Sequence, residues 1–272
     1  MSGNKHIVIT GAARNIGRAT ARHLALLGHK LFLIDIDEAE LSHTATSHIP
    51  DVLAEKANTT TVASSVGYKS CNLRDPVAIW NTIKSAAELL NGSIDVLVNN
   101  AGIVRAQFTG NRTMEDPSVF DEWAAYLDTN LTAPFLVSQA CIPYMKLEDE
   151  KIEHPKEAVI GPEAAKTMYN QASKAGLLGL AQTMAISGAQ WGIRCNAILP
   201  GYNYVRHECQ EADESQGELH WAKDVTESRH RTHPTGRIGC GEDIAEAVEW
   251  LMGARFMTGQ ELVIDGGVSK IK

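Results

Sequence analysis

The run "TGAARNIGRATA", Thr10–Ala21, decides how this chain is read. It follows the aliphatic, β-branched stretch Lys5–Thr10, which has the pattern of a buried strand, and it leads into a helical pattern over Ile16–Leu27. A glycine turn between a strand and a helix start aims backbone N–H groups and the positive end of the helix dipole at one point. An anion fits there, and a dinucleotide diphosphate is the ligand of the right shape. Gly11, Arg14, Asn15, Ile16 and Gly17 are the candidate contacts. Asp35 follows 18 residues after Gly17, at the end of the next strand, where a carboxylate can accept hydrogen bonds from the adenosine ribose and repel a 2′-phosphate. Arg14 pulls the other way, since it could pair with that phosphate or neutralise Asp35. The balance favours NAD(H) over NADP(H).

Working outward, short apolar runs alternate with longer helical patterns. Strands are expected at Lys30–Ile34, Gly67–Cys71, Ile94–Asn99, Arg194–Leu199 and Glu261–Ile264. Helices are expected at Glu38–Ser47, Pro76–Leu90, Pro117–Met145, Ser173–Gln190 and Asp243–Met252. That order predicts right-handed βαβ units and an α/β fold: a single Rossmann-type domain over residues 1–272, its doubly wound parallel sheet flanked by helices. The polar, charged segment Arg206–His233 lacks core periodicity, and is expected to be a mobile helical part of a substrate flap around residues 202–235.

A formal charge of −8 argues against nucleic acid or an anionic membrane as partner and favours a small-molecule substrate. No run approaches the roughly 18 apolar residues of a membrane span. With no secretion-like start, the expected location is cytoplasmic. The five cysteines are scattered without metal-ligand spacing, so reduced thiols and no metal site are expected.

Further motifs fall in order along the chain. They are "NNAG" at Asn99–Gly102, Asn130 in "LDTNLTAPF", "ASKAG" at Ala172–Gly176, "NAILPG" at Asn196–Gly201 and "TGQELVIDGG" at Thr258–Gly267. Together with Thr10-Gly11, Ile16-Gly17 and Asp35, this series resembles the short-chain dehydrogenase/reductase superfamily over nearly the whole chain. The resemblance implies a nicotinamide cofactor, further contacts from Asn72, Leu73, Asn99, Ala101, Gly102, Pro200, Gly201 and Asn203, and Lys174 on the nicotinamide ribose. It also implies a homodimer or homotetramer, with Asp265-Gly266-Gly267 at a subunit interface.

The departures from the family pattern are specific. Asn15 replaces the middle glycine of the phosphate turn, and asparagine accepts left-handed backbone angles better than most residues. Asn72 replaces the usual adenine-side aspartate, and Val205 stands where a threonine is expected. The family's catalytic tyrosine lies four residues before the lysine, but Asn170 occupies that place and Tyr169 lies one residue earlier. On a regular helix five residues advance about 500°, so Tyr169 would point away from Lys174 unless a π-bulge realigned it. The family's serine is missing too: counting back from "ASK" puts Glu157, or Lys156, near its position. His154-Pro155 should interrupt that central strand. The candidate catalytic set is therefore Asn130, Tyr169, Asn170, Lys174 and Glu157, with His154, Tyr202 and Tyr204 as further possible acids.

These features predict an NAD(P)(H)-dependent oxidoreductase that moves hydride to or from a small carbonyl, alcohol or imine through a non-standard site. Two alternatives stay open. One is a non-redox cyclase, isomerase or lyase on the same scaffold, and the other is a non-catalytic nucleotide-binding protein.

Overall fold

The computed structural model describes residues 4–58, 66–103, 112, 115–147, 156–160, 168–215 and 225–271; the side chains of 158–160 and 168–171 are not among them. Seven parallel strands form the sheet: β1 (His6–Thr10), β2 (Lys30–Asp35), β3 (Val66–Ser70), β4 (Val96–Asn99), β5 (Lys156–Ile160), β6 (Ile193–Pro200) and β9 (Glu261–Ile264). Their spatial order is β3-β2-β1-β4-β5-β6-β9. Parallel strands covered on both faces need near-continuous apolar runs. β1 and β2 meet that need: Ile7, Val8, Ile9, Leu31, Leu33 and Ile34 are all fully buried.

Helices cover both faces. α1 (Asn15–Leu26) packs beside α10 (Gly241–Gly253), and a Cβ on Gly241 would lie 2.4 Å from the Ala19 methyl, so only glycine allows this approach. α4 (Pro76–Leu89) and α6 (Ala133–Met145) cover the other face, with Ile79, Ile83, Val137 and Cys141 in its core. α4 starts cleanly because Asp75 accepts from the N–H groups of Val77 and Ala78 at 2.9 and 3.1 Å, with Pro76 in the first turn. α7 (Met168–Gly188) lies against β6.

Two expectations need correction. The helix expected to end at Ser47 continues, because a widened π turn over Thr44–His48 lets Ile49 donate to Thr44 and carries the chain into α3 (Ile49–Ala57) just ahead of Pro50. The helix expected over Pro117–Met145 is broken into a 3₁₀ turn (Pro117–Val119), α5 (Phe120–Leu127), a second π turn (Asp128–Thr132) and α6. The interruption expected at His154-Pro155 lies outside the described residues. β5 begins at Lys156, directly after Pro155, and pairs with β4 from Val96↔Glu157 to Asn99↔Ile160 and with β6 on its other side. The expected flap is described over 202–215 and 225–235. It holds a short ladder of β7 (Asn203–Tyr204) with β8 (Gly239–Cys240), and the short helices α8 (Gln210–Glu214) and α9 (Glu227–His230). No helix among the described residues is long and apolar enough to cross a membrane.

Candidate functional site

Connections leave β1 and β4 in opposite directions across the sheet, and ligands of such folds sit at the carboxyl ends of strands at this reversal. A cleft of about 390 Å³ opens there. Gly11, Arg14, Asn15, Ile16 and Asp35 line one part of it, and Asn72, Leu73, Asn99, Ala101, Gly102 and Pro200 the rest.

The turn is built on two left-handed residues, Gly11 (φ 65) and Asn15 (φ 56), so asparagine does adopt the angle for which the family usually employs glycine. A Cβ on Gly17 would lie 2.0 Å from the Gly11 carbonyl oxygen, which no side chain tolerates. Gly17 is therefore needed for closure of the turn and does not itself line the cleft. No side chain caps the start of α1, and its first turn carries no acid. Beyond Asn15 N–H, which donates to a backbone carbonyl, the helix thus keeps orphan N–H groups that an anion satisfies. Thr10 and Asn100 clamp this edge. Thr10 Oγ1 accepts from the N–H groups of Asn100 and Ala101, both at 3.1 Å, while Asn100 Nδ2 donates to the Gly11 carbonyl at 2.9 Å.

Asp35 is fixed at the rim. Its Oδ2 accepts from Ala13 N–H at 3.0 Å and its Oδ1 from Asp37 N–H at 3.1 Å. A carboxylate has about four acceptor positions, so both oxygens can still accept from ribose hydroxyls. Arg14 does not neutralise Asp35; its guanidinium reaches Asp37 at 2.5 Å and Glu40 at 3.2 Å. Asn72 Oδ1 is taken up locally by Arg74 N–H at 3.1 Å. Asn99 turns its amide into the core, donating to Ser138 Oγ at 3.0 Å.

Asn130 lies in the second π turn and is buried. Its Oδ1 accepts from Ile103 N–H at 2.8 Å, and its Nδ2 donates to the Ile103 carbonyl at 3.1 Å and to Ser173 Oγ at 3.2 Å. It therefore ties the loop after β4 to the residue beside Lys174, which is half-buried. α7 is regular from Met168 onward with no widened turn, so its backbone sets Asn170 close to one full turn before Lys174. The side chains of Tyr169 and Asn170, and His154 entirely, lie outside the described residues.

Four residues weighed for the site, Glu157, Lys156, Gly201 and Asn203, are engaged with the scaffold. Glu157 pairs in register with Val96, three residues below the carboxyl edge marked by Asn99↔Ile160. At about 3.3 Å per residue that is roughly 10 Å from the reacting end of the sheet. It forms an ion pair with Arg194 at 2.6 Å and accepts from Asn196 at 2.9 Å. Burial pushes its carboxyl up to about 8, against the pull of Arg194 and Asn196. The count from "ASK" misplaced Glu157 because it assumed a fixed distance between the strand and α7. Lys156 likewise pairs with Asp95 at the foot of β4. Gly201 and Asn203 do not line the cleft: a Cβ on Gly201 would lie 2.7 Å from Asp265 Cα, and Asn203 packs against Gly239 while donating to the Gly201 carbonyl at 3.0 Å.

The sequence reading missed an ionic clasp between α1 and the segment after β7. Arg18, fully buried, reaches Asp213 at 2.5 Å, and Arg22 reaches Glu208, itself buried, at 2.5 Å and also pairs with Glu242. Burial and then Arg18 hold the His48 imidazole well below its usual range. The Asp213 carboxyl is held low by hydrogen bonds from His43 and Arg18, which outweigh the opposing effect of its burial. His207, Glu208 and Glu242 bring ligand atoms within 4.8 Å of one another, and the Arg22 guanidinium already engages both carboxylates. The clasp also touches the phosphate turn, because Asn15 N–H donates to the Glu208 carbonyl at 3.0 Å. The alternation Arg18-x-x-x-Arg22 on one helix face was the available signal.

Comparison with known proteins agrees with this architecture. The sequence profile of a family described as enoyl-(acyl carrier protein) reductase matches residues 11–269. The chain is 32% identical to the 3-oxoacyl-(acyl-carrier-protein) reductase FabG of Escherichia coli, covering 97% of both chains. It is 30% identical to an L-rhamnose 1-dehydrogenase (NAD(P)(+)) of Azotobacter vinelandii, over 97% of this chain and 96% of that one. A solved actinorhodin polyketide ketoreductase with NADPH shares the fold, with a TM-score of 0.76 at 23% identity over 98% of this chain and 99% of its own. With a glycine turn, strand order and sequence relationship that all agree, the chain belongs to the short-chain dehydrogenase/reductase superfamily.

Proposed function

We propose that this protein is an NAD(H)-preferring oxidoreductase acting on a small carbonyl, alcohol or imine. The observation that carries the reading is Asp35, held by two backbone N–H groups at the rim of a cleft whose floor is an uncapped helix start. The relatives support the reaction class, since they are named as a reductase and an NAD(P)-dependent dehydrogenase. The turn residues fit a dinucleotide: Gly17 admits no side chain, and Gly11 and Asn15 hold the backbone open to the diphosphate. When bound, that cofactor supplies hydride transfer.

The chain's own residues then have distinct tasks. Asp35 accepts from the adenosine ribose, the α1 start binds the diphosphate, and Lys174 takes the nicotinamide ribose from a helix positioned through Ser173 and Asn130. With Asn170 in the family's tyrosine place, an imine or iminium acceptor suits the site. Such a substrate arrives already polarised and asks less of a protein acid.

Fluorescence titration with NADH and with NADPH tests the reading without a known substrate. Saturable binding of both, tighter for NADH by about tenfold or roughly 1.4 kcal/mol, is expected. Absence of saturable binding to either would reject it and leave cofactor-free chemistry on the same scaffold.

A further inference from the structure

Arg14 is the residue in the phosphate turn best placed to welcome a 2′-phosphate, and the structure shows where its charge goes. Its guanidinium spans Asp37 Oδ2 and Glu40 Oε2, at 2.5 and 3.2 Å. Neither carboxylate is free to swing away. Asp37 uses its other oxygen, Oδ1, to cap α2 (Glu38–His43), accepting from Glu40 N–H at 3.2 Å. Glu40 uses Oε1 to accept from Gln210 N–H at 2.5 Å, at the start of α8. Each acid therefore has one oxygen committed to the scaffold and the other to Arg14.

The rim beside the ribose position thus carries Asp35, Asp37 and Glu40 against Arg14. Three carboxylates face Arg14 at this rim, with Arg74 across the cleft. We infer that Asp37 and Glu40 act as specificity-determining residues alongside Asp35, by sequestering Arg14 and leaving the rim net negative toward a 2′-phosphate. The inference rests on the cofactor reading above and adds to it. Asp35 supplies the favourable contact with an unmodified ribose, whereas Asp37 and Glu40 remove the cation that would reward a phosphorylated one.

Arg14 and its partner Asp37 are half-exposed, at 45% and 42%, while Glu40 is largely covered. Exposed pairs of this kind hold weakly, and Arg14 should transfer to a phosphate once its partners lose their charge. A latent phosphate site is built into the loop and kept switched off by two carboxyl groups.

A mutant cycle read by titration calorimetry tests this, with ADP and 2′,5′-ADP as probes so that no seated nicotinamide is required. The amide variants Asp37→Asn and Glu40→Gln keep the α2 cap and the acceptor for Gln210 N–H, which preserves the fold while removing charge. In the wild type ADP is expected to bind more tightly, and Arg14→Ala should leave the ratio of the two affinities within about twofold. In the Asp37→Asn/Glu40→Gln background the ratio should shift toward 2′,5′-ADP by about tenfold or more, the size of one charge-assisted phosphate contact. Adding Arg14→Ala there should cancel most of the shift. A ratio unmoved by the double change overturns the inference, as does a shift that survives loss of Arg14, which would point to Arg74 across the cleft. Failure of the wild type to bind either probe would sink the cofactor reading itself. Binding of both with an unmoved ratio would sink this inference alone.

Discussion

The two ends of the same sheet use charge in opposite ways. At the foot, Glu157 and Arg194 form a buried pair, Asn196 completes it, and Arg194 donates onward to the carbonyls of Leu251, Ala254 and Met257 at the end of α10. Lys156 and Asp95 pair beside them. At the carboxyl edge, Asp35 and the start of α1 keep acceptor and donor capacity facing an open cleft. Foot polar groups are consumed by one another, and edge groups are left for a ligand. A polar residue in a central strand is therefore a candidate site only when its register puts it at the edge.

The largest break in this comparison comes from Gly17→Ala. Its methyl would meet the Gly11 carbonyl at 2.0 Å, so the turn must open. Dinucleotide affinity should fall by more than about a hundredfold, or roughly 2.7 kcal/mol, in the same fluorescence titration. Since the foot is untouched, the sheet should still fold, as far-ultraviolet circular dichroism would show. Retained affinity would mean that the turn does not hold the diphosphate.

An effect of similar size, on stability instead of affinity, is expected at the clasp, where edge charges are used as they are at the foot. Glu208→Ala leaves the buried guanidinium of Arg18 and that of Arg22 short of a carboxylate. Breaking a buried pair from one side costs about 3 kcal/mol or more, so the urea midpoint should drop accordingly. Glu242→Gln, which alters an exposed partner of Arg22, should change it by less than about 1 kcal/mol. Equal effects of the two changes would show that burial does not set the strength of this cluster.

Much of the cofactor half was legible from sequence, because each feature there follows from a local rule. The turn at Gly11–Gly17, the carboxylate at Asp35 and the strand ending in Asn99 are set by spacing within single βα units. What was not legible depends on contacts distant in sequence. Glu208 and Asp213 look like solvated surface residues until the fold brings them to Arg18 and Arg22. Glu157 looked like a replacement acid because residue counting across the segment between β5 and α7 fixes no register; only the pairing Val96↔Glu157 does. The widened turn considered for Tyr169 occurs at Asn130, in a stretch whose helical pattern gives no warning of it. Periodicity reports which residues are helical and is insensitive to one extra residue in a turn.

The smallest and most specific effect concerns the foot alone, and it separates a buried scaffold acid from a catalytic one. Burial raises the Glu157 carboxyl to about 8 in the fold, whereas in the unfolded chain it titrates near 4.5. The folded state therefore holds the proton more tightly, and stability falls with rising pH wherever the native form binds more protons than the unfolded one. The contribution of Glu157 is complete below about pH 4.5 and is lost as pH rises toward about 8. Glu157→Gln imitates the protonated carboxyl and still offers an oxygen to Asn196 and Arg194. Thermal midpoints measured between about pH 5 and about pH 8.5, a window that covers most of this range, should fall more steeply in the wild type than in Glu157→Gln, by a few degrees over the range. Parallel curves would mean that Arg194 keeps Glu157 ionised throughout. The affinity for NADH should not follow the same titration, because the carboxyl lies at the far end of β5 from the cleft. A common pH dependence of stability and binding would return Glu157 to the site.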